Sequence, residues 1–264
     1  MTGFIEVSQG NSPLVLGLPH SGTEVPGHVA ECLNANGLAL TDTDWHIDRL
    51  YAGLVDDVTT VRTRLHRYAI DVNRDPSGAS LYPGQATTDL CPITDFDGAP
   101  IYHEGRSPDL EETKQRLTDW HRPYLAALAG EIQRLRVSLG FAILYDCHSI
   151  RSKIPRLFDG ALPDFSIGTD GGATCAPDIE ARVVALCEGA SGYTSVLNGR
   201  FRGGWTTRHY GKPQEGVHAI QMELAQATYL CEEAPPWQYD ETRADRVRGP
   251  LKDILETLRE WRPR

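Results

Sequence analysis

Short apolar runs recur along the chain, and longer segments with helical periodicity lie between them. Such runs predict buried strands, whereas apolar positions spaced three and four residues apart predict amphipathic helices. The predicted strands are Pro13–Leu18, Val58–Thr63, Tyr68–Val72, Phe141–Tyr145 and Ala219–Leu224. Their alternation with helices favours an α/β fold with a mainly parallel or mixed sheet covered by helices.

Four segments have the pattern of helices. The clearest begins near Pro108 and extends to about Leu139, with Pro123 as a point where it could break. The others are Asp44–Asp57, Asp178–Glu188 and Thr242–Trp261. Residues 73–107 and 151–176 are rich in Asp, Pro and Gly, and they predict long loops of the kind that often line active sites.

Two histidines follow predicted strands in matching contexts. His20 comes after the run that ends at Leu18, and His148 comes after the run that ends at Tyr145. Ligands of α/β folds bind in the crevice at the strand ends, so both side chains are placed to face it. One such histidine alone is explained equally well by a local hydrogen bond in the core. The matching pair favours a metal site.

A zinc site in a hydrolase usually has three protein ligands and one position for water. The third ligand is then expected to be a carboxylate from Glu24, Asp44 or Asp48, with His46 as a substitute ligand. Asp44 precedes a predicted helix, so N-capping is an alternative role for it.

Several arginines are candidates for binding an anionic substrate. Asn73 and Arg74 follow a predicted strand, and an arginine there suits a carboxylate, although a surface salt bridge is the alternative. Further cations are Arg67, Arg202 and Arg208. The last two belong to the glycine-containing segment Phe201–Gly211, whose composition is typical of a loop that covers a substrate.

Glu223 interrupts an apolar strand. An ionised glutamate buried without a partner is unfavourable, which predicts either a salt bridge or a chemical role. Beside a metal-activated water, Glu223 would act as the general base. Cys147, next to His148, is expected to pack in the core rather than to act as a nucleophile.

Composition limits the possible partners. The 264 residues carry a formal net charge of -10, which argues against nucleic acid or an anionic membrane surface. No run of 18 apolar residues predicts a membrane span. The six cysteines form no Cys-x-x-Cys pair, and residues 1–6 do not resemble a signal peptide, so reduced thiols in the cytoplasm are expected.

Taken in order, seven segments resemble the N-formylglutamate amidohydrolase family, also called N-formylglutamate deformylase. They are Leu18–Thr23, Asp42–His46, Arg67–Arg74, Asp146–Ser152, Leu197–Gly204, Thr207–Gly211 and Gln221–Leu224. The resemblance covers nearly the whole chain, and it implies one domain over residues 1–264. It also implies a phosphorylase/hydrolase-like α/β fold, a mixed sheet flanked by helices that is similar to zinc carboxypeptidases.

The resemblance implies roles for particular residues. His20 and His148 would bind zinc, Asn73 and Arg74 would bind a substrate carboxylate, and Glu223 would be the catalytic base. Zinc carboxypeptidases place a glutamate three residues after the first histidine, where this chain has Thr23. Asp44 is therefore the preferred third ligand, with Glu24 and Asp48 kept open.

The implied reaction is hydrolysis of N-formyl-L-glutamate, a small dianionic substrate, as the last step of a bacterial route of histidine degradation. Arg202 and Arg208 are the further cations expected to neutralise its carboxylates. One alternative is a related N-acyl amino acid deacylase or carboxypeptidase-like hydrolase. Another is a metal- or small-ligand-binding protein without catalysis. Iron(II), cobalt or manganese would also suit a site of histidine and carboxylate.

Overall fold

The computed structural model describes residues 3–79 and 87–263. Its centre is a seven-stranded mixed sheet with the strand order β1-β3-β2-β4-β7-β5-β6. The strands are β1 (Ile5–Ser8), β2 (Leu14–Leu18), β3 (Thr59–Thr63), β4 (Ala142–Ile150), β5 (Phe165–Gly168), β6 (Ser195–Leu197) and β7 (Val217–Ala225). The β1–β3 and β7–β5 pairs are antiparallel, and the other neighbouring strands are parallel.

Helices cover both faces of the sheet. They are α1 (Gly27–Ala30), α2 (Ala35–Leu38), α3 (Ile47–Tyr51), α4 (Leu110–Arg116), α5 (Arg122–Leu139), α6 (Pro177–Gly189), α7 (Trp205–Tyr210) and α8 (Glu241–Glu260). Short 3-10 turns occupy Pro213–Glu215 and Gln226–Thr228. Helices α3, α6 and α8 pack with one face of the sheet, and α5 packs with the other. None of the helices in the described ranges is both long and apolar enough to cross a lipid bilayer.

The central strands β2, β4 and β7 are buried along their whole length. Successive side chains of a strand point to opposite faces. Leu14 and Leu16 therefore join the core on the α8 side, whereas Val15 joins the core on the α5 side. Strands buried on both faces read as continuous apolar runs, and this is why the central strands were predictable from sequence.

The prediction of an α/β fold with a mixed sheet and flanking helices is confirmed, and four of the five predicted strands are present. The fifth, Tyr68–Val72, is wrong, because this segment is a turn in which Ala69 N donates to His66 O. Its apolar residues are nevertheless buried, with Tyr68 and Ile70 in separate hydrophobic clusters. An apolar segment that is buried without pairing to another strand therefore has the same sequence pattern as a strand.

Other boundaries also differ from the predictions. The helix expected over 44–57 is limited to α3, and the loop expected over 151–176 contains β5. Strand β4 continues five residues beyond Tyr145, so His148 lies inside the strand. The helix predicted from Pro108 to Leu139 does not break at Pro123, because this proline lies in the first turn of α5. A π-helical turn over Leu117–His121 joins α4 to α5.

Candidate metal centre and active-site cleft

The two predicted histidines meet at one edge of the sheet. His20 follows β2, and His148 lies on the neighbouring parallel strand β4. Their Nδ1 atoms are 3.2 Å apart, and each residue is 3% exposed. The strand pairing therefore brings together two side chains that are far apart in sequence.

Asp44 completes a group of three potential ligands. Its Oδ2 lies 3.3 Å from Nδ1 of His148 and 3.9 Å from Nδ1 of His20. Tetrahedral zinc with bonds of about 2.0–2.2 Å requires ligand atoms roughly 3.3–3.6 Å apart. Two of the observed separations, 3.2 and 3.3 Å, are near this range, and the third, 3.9 Å, is slightly longer. His20, Asp44 and His148 therefore form a group that can hold a metal ion.

The opposite nitrogens of both imidazoles face carboxylates. His20 Nε2 lies 2.7 Å from Asp71 Oδ1, and His148 Nε2 lies 3.3 Å from Asp146 Oδ2. Metal-binding histidines commonly donate their second N–H to a carboxylate, which fixes the ring and its tautomer. With those protons on Nε2, the Nδ1 lone pairs and the Asp44 oxygen converge on one point. A metal cation would be stabilised at this point, because three electron-pair donors that face one another repel unless a positive charge lies between them.

Helix α7 holds Asp146 in place. Thr206 Oγ1 donates to Asp146 Oδ2 at 2.5 Å, and Thr207 Oγ1 donates to the same oxygen at 3.1 Å. On β2, Gly17 leaves room for this carboxylate, since a Cβ there would lie 3.2 Å from Asp146 Oδ1. The carboxylate behind His148 is therefore oriented from two sides.

Asp44 is oriented by two donors. Arg67 Nη2 donates to Asp44 Oδ1 at 2.5 Å, and the Ser149 backbone N donates to Oδ2 at 3.1 Å. Asp44 thus has a different role from the N-cap alternative, since His46 is the residue that precedes α3. Burial raises the pKa of Asp44, but Arg67 and the histidines outweigh it and lower the pKa, so the carboxylate is charged.

The surroundings shift the pKa values of the two histidines in opposite directions. Burial and Arg67 lower the pKa of His20 to about 4, which leaves its imidazole neutral at pH 7. Burial also opposes protonation of His148, but Asp146 and Asp44 raise its pKa well above the usual value. Arg74 and His20 overcome burial and hold the pKa of Asp71 well below its usual value.

Glu223 lies beside the ligand group. In the parallel pairing of β4 and β7, Glu223 is in register with His148, and the two side chains therefore share one face of the sheet. Gln221 Nε2 donates to Glu223 Oε2 at 3.1 Å. Burial raises the pKa of Glu223 to about 7. A carboxyl group with this pKa can both accept and return a proton near neutral pH.

A cleft opens over this group. Its lining includes His20, His148 and Glu223, together with the arginines Arg67, Arg74 and Arg200. The sequence prediction pointed to Asn73 and Arg74, and both residues line the cleft.

Asn73 is mostly engaged within the protein. Its Nδ2 lies 3.0 Å from His148 Nε2, and its Oδ1 accepts from Thr206 N at 2.9 Å. Arg74 donates from Nε and Nη2 to Thr88, and from Nη1 to Asn73 O. Nη2 also forms an ion pair with Asp71 Oδ2 at 3.4 Å. Among the described residues these contacts leave one N–H of Nη1 for a ligand.

Arg202 and Arg208, the other predicted substrate-binding residues, lie outside the lining of the cleft as far as the structure describes it. Arg202 is exposed, and Arg208 Nη1 lies 3.5 Å from Asp170 Oδ1. Arg200 lines the cleft instead. Arg200 directly precedes the glycine-containing segment Phe201–Gly211, and the sequence alone does not indicate which arginine of this region faces the cleft.

The alternative metal ligands lie elsewhere. Glu24 is paired with Arg64 at 3.2 Å, and Asp48 is paired with Arg62 at 2.9 Å. His46 Nε2 contacts Trp237 O at 2.8 Å. Of the three carboxylates considered from sequence, Asp44 is the one that the structure brings to both histidines.

Sequence reasoning missed the residues that support the ligands. Asp146 precedes His148 by two residues and therefore shares its face of the strand, a signal that was available in the sequence. Asp71 and Thr206 gave no such signal, because a turn and a short helix bring them to the site. Cys147 is fully buried in the core, as predicted.

Comparisons with known proteins identify the family and the fold of the chain. The sequence model of the N-formylglutamate amidohydrolase family matches residues 12–230. The chain is 45% identical over 262 residues to N-formylglutamate deformylases of Pseudomonas aeruginosa and Pseudomonas putida. The alignments cover 99% of this chain, 98% of the first relative and 97% of the second.

A solved structure of similar fold is that of N-formylglutamate amidohydrolase from Ralstonia eutropha. It superposes with a TM-score of 0.80 at 25% identity, covering 97% of each chain. A protein of Agrobacterium tumefaciens has the same fold, with a TM-score of 0.71 at 18% identity over 97% of this chain and 96% of its own.

Proposed function

The chain belongs to the N-formylglutamate amidohydrolase family, and we propose that it hydrolyses N-formyl-L-glutamate to formate and L-glutamate. The observation that carries this proposal is the buried His20–Asp44–His148 group with Glu223 beside it in an arginine-lined cleft. A binding protein without catalysis has no need for a carboxyl group with a pKa near 7 next to a metal site.

We propose zinc as the metal. Two imidazoles and one carboxylate are a common ligand set for catalytic zinc, and they leave one position for water. A bound metal ion would replace any proton on Nδ1 of His148. A bound divalent ion would polarise the formyl carbonyl and lower the pKa of a water molecule. Iron(II), cobalt and manganese are accepted by the same donors, so metal analysis of the purified protein is the test of identity.

Glu223 is proposed to move the proton. Its carboxylate accepts a proton from the attacking water while the new C–O bond forms at the formyl carbon. The same group then donates that proton to the glutamate nitrogen while the C–N bond breaks. The pKa of about 7 suits both transfers, because neither protonation state is strongly favoured at neutral pH.

Arg74 is proposed to bind a substrate carboxylate through the N–H group that its protein partners leave over. Thr88 and Asn73 O hold the guanidinium in place before substrate arrives. Asn73 contributes mainly by contacting His148 and Thr206, so its effect on the substrate is largely indirect.

The test is a substrate panel with formate or acetate release as the measurement. The protein is treated with a chelator, dialysed and restored with zinc, iron(II), cobalt or manganese in parallel. We expect N-formylglutamate to be hydrolysed faster than N-formylaspartate and much faster than N-acetylglutamate. Faster release of acetate would favour the deacylase alternative, and metal binding without any hydrolysis would favour a binding protein.

We also propose a metabolic role, a cellular location and a domain organisation for the protein. The substrate is a small molecule that is consumed in the last step of a bacterial histidine-degradation route. The reaction takes place in the cytoplasm. Residues 1–264 form a single catalytic domain.

A further inference from the structure

We infer that Arg200 binds the side-chain carboxylate of the substrate and thereby selects N-formyl amino acids with an acidic side chain. This inference rests on the proposed function and adds a specificity-determining residue to it. N-formylglutamate carries two carboxylates, and burial of each in a cleft requires its own cationic partner.

The cleft offers three arginines, and they are not equivalent. Arg67 is 6% exposed and is paired with Asp44 at 2.5 Å, so its charge is used to orient a metal ligand. Arg74 faces the cleft from the turn that follows Asp71. Arg200 faces it from the segment after β6 and is half-buried. Arg74 is also paired with Asp71, but its side chain is 26% exposed. Arg74 and Arg200 are thus both more accessible from the cleft than Arg67. We therefore assign the two substrate carboxylates to Arg74 and Arg200.

An apolar wall lies on the Arg200 side of the cleft. Ile150, Leu157 and Phe201 line the cleft, and they belong to one hydrophobic cluster. Ile150 follows His148 by two residues on β4 and therefore shares its face of the sheet. The wall thus begins next to the metal ligands.

Arg200 is attached to this wall. Its Nε donates to Leu157 O at 2.9 Å, and its guanidinium carbon lies 5.4 Å from the centre of the Phe201 ring. The backbone bond holds the guanidinium at the apolar side of the cleft. An apolar surface followed by a fixed cation matches the two methylenes and terminal carboxylate of a glutamate side chain.

The experiment compares two substrates of nearly equal shape. N-formylglutamate and N-formylglutamine differ in the charge of the side-chain terminus and not in its length. Steady-state kinetics are measured for the zinc-restored full chain, for Arg200→Gln and Arg200→Lys, and for the control Arg182→Gln. Arg182 is exposed on α6, so its substitution removes one positive charge without touching the cleft.

For Arg200→Gln we expect kcat/KM on N-formylglutamate to fall about 10- to 100-fold, mainly through KM, as for loss of a charge-assisted hydrogen-bonded pair. On N-formylglutamine the change should stay within about threefold, because no ionic partner is lost there. Arg200→Lys should recover part of the loss, and Arg182→Gln should match the parent chain. The preference for the acid over the amide therefore disappears in Arg200→Gln alone.

Equal losses on both substrates would overturn the inference, because a purely structural role lowers both rates together. An unchanged preference in Arg200→Gln would also overturn it. Glutarate inhibition gives a second measurement, since its inhibition constant should rise in Arg200→Gln while that of butyrate does not. If Arg200→Gln does not fold, the same two comparisons on Arg200→Lys decide, since lysine keeps the charge but loses the planar pair of donors.

Failure of the proposed function gives a different result. In that case the parent chain releases no formate from N-formylglutamate under any metal. If the parent chain is active but its preference for N-formylglutamate over N-formylglutamine is unchanged in Arg200→Gln, the proposed function stands and the assignment of Arg200 is wrong.

Discussion

The two histidines, Glu223 and the arginines line the same cleft, but the chain holds them in different ways. His148 and Glu223 are on paired central strands, and His20 follows a third. Arg74 and Arg200 are on irregular segments, and backbone carbonyls and Thr88 hold them. Strand pairing fixes backbone positions through many hydrogen bonds, whereas a loop side chain depends on a few. We therefore expect the rate of the chemical step to depend on residues held by the sheet, and substrate specificity to depend on residues held by the loops.

The largest effect is expected for His148→Ala. Loss of one ligand should remove most bound metal, and kcat/KM should fall by roughly a thousandfold, because metal activation of the reaction contributes several kcal/mol. The protein should remain folded, as checked by circular dichroism. Elemental analysis measures the metal. Full zinc occupancy in both His20→Ala and His148→Ala variants would contradict the assignment of the site.

Glu223→Gln distinguishes a catalytic role of Glu223 from a structural role in the β4–β7 pair. The amide keeps the volume of the side chain but cannot accept a proton, so kcat should fall about 10²- to 10⁴-fold while KM and metal content stay nearly constant. If Glu223 were half of a buried ion pair, the change would instead cost about 3–5 kcal/mol of stability. Kinetics and thermal melts of this variant are compared. A much lower melting temperature with normal turnover per folded molecule would show a structural role.

Asp146→Asn tests the support behind His148. Loss of this carboxylate should weaken metal binding about 10- to 100-fold, which competition with a chelator measures. Asp71→Asn behind His20 is the matched variant and should have an effect of the same order. Unchanged metal affinity in both variants would mean that the carboxylates do not orient the imidazoles.

Arg74→Ala tests the loop side of the comparison. We expect a loss of about 10- to 100-fold in kcat/KM with metal content unchanged, because a charge-assisted contact to the substrate is removed. The loss should be largest for substrates with free carboxylates. An equal loss on an uncharged formamide would count against this role. It would indicate that Arg74 supports the catalytic group and does not bind a substrate carboxylate.

The smallest effect is expected for Glu24→Gln and Asp48→Asn. Both carboxylates form ion pairs that are partly exposed to solvent, and surface pairs contribute about 0–1 kcal/mol. Metal content and kcat/KM should equal those of the parent chain. A loss of metal in either variant would transfer the third ligand position from Asp44 to that residue.

Much of the ligand group was predictable because it belongs to buried strands. The apolar run before His148 and the run before His20 both showed their strands, and parallel pairing then places the two histidines at one edge. The choice between Glu24, Asp44 and Asp48 was harder, because Asp44 reaches the site from the segment before the short helix α3. From the sequence, the resemblance to the family favours Asp44.

Loop contributions were less predictable. The segment Tyr68–Val72 has the composition of a strand but is a turn, since its apolar side chains are buried by packing and not by strand pairing. Asp71 within this segment, and Arg67 and Arg74 beside it, therefore reach the site through a bend that no periodicity shows. The same limit explains why Arg202 and Arg208 were expected in the cleft, where the structure places Arg200.

The sequence by itself determined the α/β class, the central strands and the identity of His20, His148 and Glu223 as reactive candidates. Those features follow from local patterns of apolar residues interrupted by polar ones. Tertiary structure alone decided that Asp71 lies behind His20, that Thr206 reaches Asp146, and that Arg200 lines the cleft. These contacts join residues distant in sequence through turns and short helices, and their directions depend on packing that no local pattern records.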